Sequence, residues 1–217
     1  MIERHALDKK HKSVPVDFYH EGIKKNIIQK VWHTKRFKEI EKIFEELPLG
    51  ASDTILDLGC NTGYLSEIMR KTSGSRVVGV EISPDVVKFA KKEFPYIDFI
   101  EGDISRELPF EENSFLAASA YDVLEHVLDL DSVLKSLSKC LKDGGYLVVS
   151  FPNETFLFKI VWFVWTHMKG KVLQDVHVRD FKKEEFEKIF GSYGFTNVVH
   201  RKTHLGMWHI AVFKLKK

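Results

Sequence analysis

One stretch constrains this chain more than any other: Thr54-Ile55-Leu56-Asp57-Leu58-Gly59-Cys60-Asn61-Thr62-Gly63-Tyr64. Its first five residues read as a short buried strand, bounded by a turn. Gly59 and Gly63 supply that turn, and residues 64–71 carry a helical pattern. A strand passing through a glycine turn directly into a helix is the opening half of a β-α-β unit. It predicts a parallel sheet covered by helices.

The same rhythm continues downstream. Residues 76–81 (RVVGVE) predict a second strand, and Ser83-Pro84 opens a helix over 86–94, with Ser as N-cap and Pro in the first turn. Strands follow at 97–100, 115–121 and 146–151 (YLVVSF). Val133, Leu134, Leu137 and Leu141 stripe the helix before the last of these, and Asp143-Gly144-Gly145 stops it. After a helix at 182–193 come strands at 196–201 and 208–215, whose connection is so short that they must pair antiparallel. The chain therefore reads as α/β: five parallel strands closed by an antiparallel hairpin, with helices on both faces.

A length of 217 residues, 44% of them hydrophobic, fits a single domain and excludes disorder as the main state. Within it, residues 1–48 form an N-terminal arm and helical cap, striped by Ile23, Ile27, Val31, Phe37, Ile40, Phe44 and Leu47. Residues 49–152 form the ligand-binding core, 153–181 an insertion, and 182–217 the C-terminal helix and hairpin. Cys60 and Cys140 lie in neither zinc nor disulfide spacing. The longest apolar run, residues 156–168, is interrupted by Lys159, Thr166 and His167, and is shorter than the ~20 residues a membrane span needs. The first residues carry no apolar signal core, so a cytoplasmic location is expected.

The glycine loop also narrows the ligand. Open α/β sheets bind at the carboxyl ends of their strands, where missing side chains let backbone N–H groups approach. The spacing here is Gly-x-x-x-Gly, neither the Gly-x-Gly-x-x-Gly of dinucleotide binders nor a phosphate loop ending in Gly-Lys-Ser/Thr. Asp57 would repel a phosphate and welcome an ammonium group. Glu81, ending the second strand, is an acceptor-only carboxylate suited to a ribose diol. Asp103, after the third strand, suits an adenine amino group, with Ile82 and Ile104 as apolar faces. The middle of the chain is net acidic between basic flanks, in keeping with a cationic or neutral ligand.

These residues resemble the class I S-adenosylmethionine-dependent methyltransferases, in particular the type 11, ubiquinone-biosynthesis-like group. The likeness runs over about residues 50–217 and rests on ILDLGCNTG, Glu81, Gly102-Asp103-Ile104, YDVLEHV at 121–127 and LKDGGYLVVSFPN at 141–153. It implies a Rossmann-like sheet of order 3-2-1-4-5-7-6 with S-adenosylmethionine across strands 1, 2 and 4. Asp57 and Gly59, with Cys60, Asn61 and Gly63 of the same loop, would line the methionine part. Glu81 would hold the ribose, Ile82, Asp103 and Ile104 the adenine, and Tyr121 would sit beside the cofactor.

The acceptor is less constrained. In-line methyl transfer from a sulfonium needs mainly orientation and exclusion of water. His126, after the fourth strand, is a candidate base should the acceptor arrive protonated. Asp122, Glu125 and His126 also form an Asp-x-x-Glu-His set, similar to the Glu-x-x-Glu-His of metal-using O-methyltransferases that act on quinone precursors or RNA 2′-hydroxyls, but with the shorter Asp in first place; no metal is expected, and these three are the lesser candidates should one be used. Tyr19, His177 and Arg179 are candidate substrate contacts. The aromatic segment 156–168 reads as core, acceptor pocket or a surface resting on a membrane. A small apolar or aromatic acceptor ranks first; the alternatives are a non-catalytic binding protein of the same fold and a metal-assisted O-methyltransferase acting on a diol or RNA 2′-hydroxyl, and nucleic acid as a partner ranks below a small molecule.

Overall fold

The computed structural model describes residues 27–153, 158 and 183–217. Helix α1 (Ile27–Glu46) leads into β1 (Thr54–Leu58), α2 (Tyr64–Ser73), β2 (Arg76–Glu81), α3 (Pro84–Glu93), β3 (Asp98–Glu101) and β4 (Phe115–Tyr121). A 3-10 turn (Leu124–His126) joins β4 to α4 (Leu130–Cys140), which runs directly into β5 (Leu141–Pro152). Helix α5 (Lys183–Gly191), β6 (Phe195–Thr203), a second 3-10 turn (His204–Gly206) and β7 (Trp208–Leu215) complete the chain.

The seven strands form one sheet of order β3-β2-β1-β4-β5-β7-β6. Strands β1 to β5 are parallel, and β7 runs antiparallel to both β5 and β6; the short connection requires the second pairing, and the resemblance implied the first. Alternation along each strand divides the core into two layers. Leu56, Leu58, Val80, Ala118, Val149 and Phe213 face α4 and α5, while Ile55, Val77, Ala117, Val148 and Val212 face α1, α2 and α3. Asp57 points to the second side with Ile55, and so reaches α2 rather than α4.

Three local details differ from the sequence reading. Helix α4 ends at Cys140, and Asp143-Gly144-Gly145 lies inside β5 as an irregularity: Phe115 pairs with Leu141 and Ala117 with Tyr146, and Gly144 takes φ +74°. The strand thus begins five residues early, because the glycines let extra residues bulge without ending the pairing. Ser83 sits at the N-cap of α3 with Pro84 behind it, but makes no side-chain cap bond. Its backbone N–H donates to Glu81 Oε1 at 3.0 Å instead. The stripe on α1 is buried at Ile40, Ile43 and Phe44, and Arg36, one turn earlier on the same face, is buried with them.

Candidate active site

The loop after β1 is built from backbone conformations that side chains disfavour. Gly59, Asn61 and Gly63 take φ of +65°, +48° and +82°. A Cβ on Gly59 would lie 2.5 Å from Val123 Cγ2, and one on Gly63 2.5 Å from Phe99 Cζ, so both positions need glycine twice over. Cys60 is buried within the loop, and its backbone N–H donates to Val80 O at 3.0 Å, carrying the β1–β2 pairing into the turn. Gly63 then caps α2 without a side-chain hydrogen bond, and the helix starts at the loop's end.

Two carboxyls flank this loop. Asp57 is buried beneath it and accepts from Ser66 Oγ at 2.6 Å, and Ser119 on β4 lies opposite it in register. Burial pushes its carboxyl up to about 7; the Ser66 and Ser119 hydroxyls work against that rise, and the charge of Glu81 adds to it. Glu81 ends β2 with each oxygen held by a backbone N–H, Oε2 by Asn61 at 3.2 Å and Oε1 by Ser83 at 3.0 Å. Burial raises its carboxyl above the usual range, against the pull of those N–H groups. A buried acid and a half-buried one close enough to feel each other's charge are relieved by a cation. Glu81 keeps acceptor capacity on both oxygens for a pair of hydroxyls.

Along the same strand ends, Ile82 is half-buried and Ile104 buried. Asp103 precedes Ile104, its Oδ1 accepting from Ser105 N at 3.0 Å and Ser105 Oγ at 2.6 Å. Arg106 Nε stands 3.4 Å from Asp103 Oδ2. The donors and acceptors present fit S-adenosylmethionine: acids for its positive groups, a fixed carboxylate for its ribose, and aliphatic faces for its base.

The end of β4 carries the second half of the site. Tyr121 is buried and its hydroxyl accepts from Arg36 Nε at 3.2 Å. Asp122 follows in a left-handed conformation, φ +53°. Its carboxylate pairs with Arg36 Nη2, accepts from Ser150 Oγ, and accepts from Trp208 Nε1 at 2.7 Å. The Arg36 guanidinium also lies 4.9 Å from the Tyr121 ring centroid and 4.7 Å from that of Trp208. Glu125 is buried, with no partner on Oε2 among the described residues. Burial pushes its carboxyl up to about 8, against the pull of its own backbone N–H and of Arg36. His126 ends the 3-10 turn half-buried, its backbone N–H donating to Val123 O at 3.1 Å. On α1, burial drives the His33 imidazole down to about 3, with the charges of Arg36 and His204 acting in the same direction.

The lesser metal candidates of the sequence are not gathered by the fold. Asp122, Glu125 and His126 do not form a group able to hold a metal ion, and no such group exists among the described residues. Asp122 is turned instead into the ion pair with Arg36. Tyr19, His177, Arg179 and the aromatic segment 156–168, apart from Phe158, lie outside the described residues. Phe158 is buried against Trp208, ring centroids 5.5 Å apart. No helix among the described residues is long and apolar enough to cross a membrane. Arg36, Ser150 and Trp208 were missed by the sequence reading. Only Arg36 left a signal there, a charge four residues before Ile40 on the buried stripe.

The family model described as a methyltransferase domain matches residues 31–200. The chain belongs to that family, and its fold and loop are those of the class I S-adenosylmethionine-dependent methyltransferases. It is similar to the demethylmenaquinone methyltransferase of Chlorobaculum tepidum, 31% identical over 152 residues, or 67% of this chain and 62% of that protein. It is also similar to the ubiquinone biosynthesis O-methyltransferase of Xanthomonas oryzae pv. oryzae, 29% identical over 58% of this chain and 54% of that protein. The chain thus spans less than two thirds of the length of these curated relatives. Among solved structures, magnesium protoporphyrin IX methyltransferase from Synechocystis PCC 6803 with bound SAH shares the fold at a TM-score of 0.74 and 18% identity. The match covers 99% of this chain and 100% of that one.

Proposed function

We propose that this protein transfers the methyl group of S-adenosylmethionine, by in-line displacement, to a small neutral aromatic acceptor of the quinol or phenol type. The observation that carries the cofactor is the pair Asp57 and Glu81 on either side of the left-handed loop. Two carboxyls raised by burial favour a ligand bearing ammonium and sulfonium charge, and Glu81 is fixed for a diol.

The acceptor class rests on the end of β4. Burial favours the uncharged forms of Glu125 and His33, and Arg36 is matched by Asp122, so these groups bring little net charge. Tyr121 and Trp208 supply aromatic surface beside them. An uncharged ring suits that environment better than a phosphate or carboxylate. The quinone-pathway names of two relatives point the same way.

S-adenosylmethionine, when bound, supplies a methyl group on a sulfonium whose departure needs no proton. The chain's task is therefore to bind, orient and keep water out. The loop from Gly59 to Gly63 and Glu81 fix the donor end, and Tyr121 bounds the reacting end. His126, on the turn after β4, accepts the proton of a hydroxyl acceptor.

The test is calorimetric titration with S-adenosylmethionine and with S-adenosylhomocysteine, followed by transfer of labelled methyl to 1,4-naphthoquinol and to catechol. One-site binding of both ligands with label in either ring compound is expected. No binding of either ligand overturns the cofactor assignment. Binding without transfer to either ring compound overturns the acceptor class.

A further inference from the structure

We propose that Arg36 is the positioning residue of the acceptor end, clipping α1 to the ends of β4, β5 and β7 and fixing the turn that carries Glu125 and His126. The inference rests on the methyltransferase reading only for its catalytic consequence.

The guanidinium is used on every side. Nε donates to the Tyr121 hydroxyl, Nη2 pairs with Asp122, and the two ring faces of Tyr121 and Trp208 enclose the group at 4.9 and 4.7 Å. Strands β4 and β7 thereby meet one side chain from a helix that lies outside the sheet, and β5 joins them through the bond from Ser150 to Asp122. Burying an ion pair is a poor way to gain stability, because an apolar pair of similar volume does as well or better. What the pair adds is a single permitted arrangement.

That arrangement is a costly one. Asp122 sits at φ +53°, a conformation that a non-glycine residue keeps only when its surroundings hold it. Here the surroundings are Arg36, Ser150, whose O and Oγ accept from the Asp122 N–H at 3.2 and 3.1 Å, and Trp208. The residue after it, Val123, packs over Gly59, and the 3-10 turn Leu124–His126 begins next. Relaxing Asp122 re-aims that turn. The loop at Gly59–Gly63 has its own ties to Val80 and Glu81, and keeps its hold on the cofactor without the clip.

Arg36→Met keeps an unbranched apolar stem and removes the fork. It is compared with wild type, Arg36→Lys and Asp122→Asn by calorimetry with S-adenosylhomocysteine, by amide hydrogen exchange, and by initial rates with 1,4-naphthoquinol. In Arg36→Met the affinity for S-adenosylhomocysteine should stay within ~threefold of wild type. Exchange at residues 122–127 should quicken by on the order of tenfold or more, with residues 57–66 unchanged. The kcat should fall by ~100-fold while the KM for S-adenosylmethionine holds, as expected for a misplacement of about an ångström. Arg36→Lys should recover part of the rate, and Asp122→Asn should show the same exchange signature, serving as the test if Arg36→Met does not fold. Unaltered exchange at 122–127 overturns the proposal. So does an equal loss of cofactor affinity and rate, which would make Arg36 a general support of the fold. Should wild type bind S-adenosylhomocysteine yet methylate neither naphthoquinol nor catechol, the acceptor class fails, and the exchange data alone decide the role of Arg36.

Discussion

Replacing Gly63 by alanine tests the construction of the cofactor loop directly. Gly63 has φ +82°, and a Cβ there would meet Phe99 Cζ at 2.5 Å, Phe99 Cε1 at 3.0 Å and Phe94 Cδ2 at 3.1 Å. The Phe99 ring is itself buried and closely packed, and a Cβ on Gly79 would also lie 2.7 Å from its Cδ1. The left-handed backbone alone costs an alanine about 1–2 kcal/mol. Overpacking against a fixed ring adds about 1–3 kcal/mol. The sum, about 2–5 kcal/mol, corresponds to a fall in Tm of roughly 4–20 °C for a domain of this size. Gly74→Ala is the matched control: φ is +74°, yet nothing lies within 4 Å of its Cβ position. It should lose only the backbone part, about 1–2 kcal/mol. Urea unfolding followed by circular dichroism measures both variants under identical conditions. If Gly63→Ala costs no more than Gly74→Ala, the close packing of Phe99 under the loop is not what demands glycine there.

Other consequences can be checked with purified protein. Glu81→Ala should weaken S-adenosylhomocysteine binding by ~1.5–3 kcal/mol, roughly 10- to 150-fold by calorimetry, since hydrogen bonds to a charged group are lost; unchanged affinity refutes the ribose assignment. Glu125 carries a pH signature of definite sign. Its carboxyl is pushed up to about 8 in the folded state, so stability present at acid pH is lost as pH rises from the ordinary carboxylate range through 8. Glu125→Gln does not titrate and should gain on wild type between pH 5 and 8 by on the order of a few kcal/mol, because each tenfold change in proton affinity is worth ~1.4 kcal/mol. A stability difference that is flat with pH, measured by urea unfolding across that range, refutes it. Cys60 and Cys140 are both buried free thiols, and burial pushes Cys60 well above the usual thiol range and Cys140 up to about 11. Neither should react with a thiol-specific disulfide reagent at pH 8 until denaturant is added, when both should.

Much of the cofactor half was legible in the chain because it is written locally. Gly59 and Gly63 declare a left-handed turn, and Glu81 declares the end of a strand, from their own chemistry and their neighbours. Strand spacing and connection lengths were likewise enough for the parallel sheet and the antiparallel hairpin. Local pattern erred at Asp143-Gly144-Gly145. Such a run usually ends an element, and here the pairing of β5 with β4 absorbed it as a bulge. At Asp122-x-x-Glu125-His126, spacing alone left open a lesser possibility of three ligands around one ion, and only the fold separates the three. A single left-handed residue sent Asp122 toward α1 and left Glu125 buried apart from it.

By itself, then, the sequence determined the order of elements, the glycine loop and the acids around it, since each depends on residues within a few positions of one another. The tertiary structure decided the acceptor end. Arg36 is 85 positions from Tyr121, and Trp208 is 86 beyond Asp122; no periodicity relates them. They meet because β7 inserts between β5 and β6 while α1 crosses beside them, and the charge of a buried arginine has to be answered where it arrives. The raised carboxyl of Glu125 and the lowered imidazole of His33 follow from that same enclosure, because burial acts on a side chain only after distant segments have closed around it.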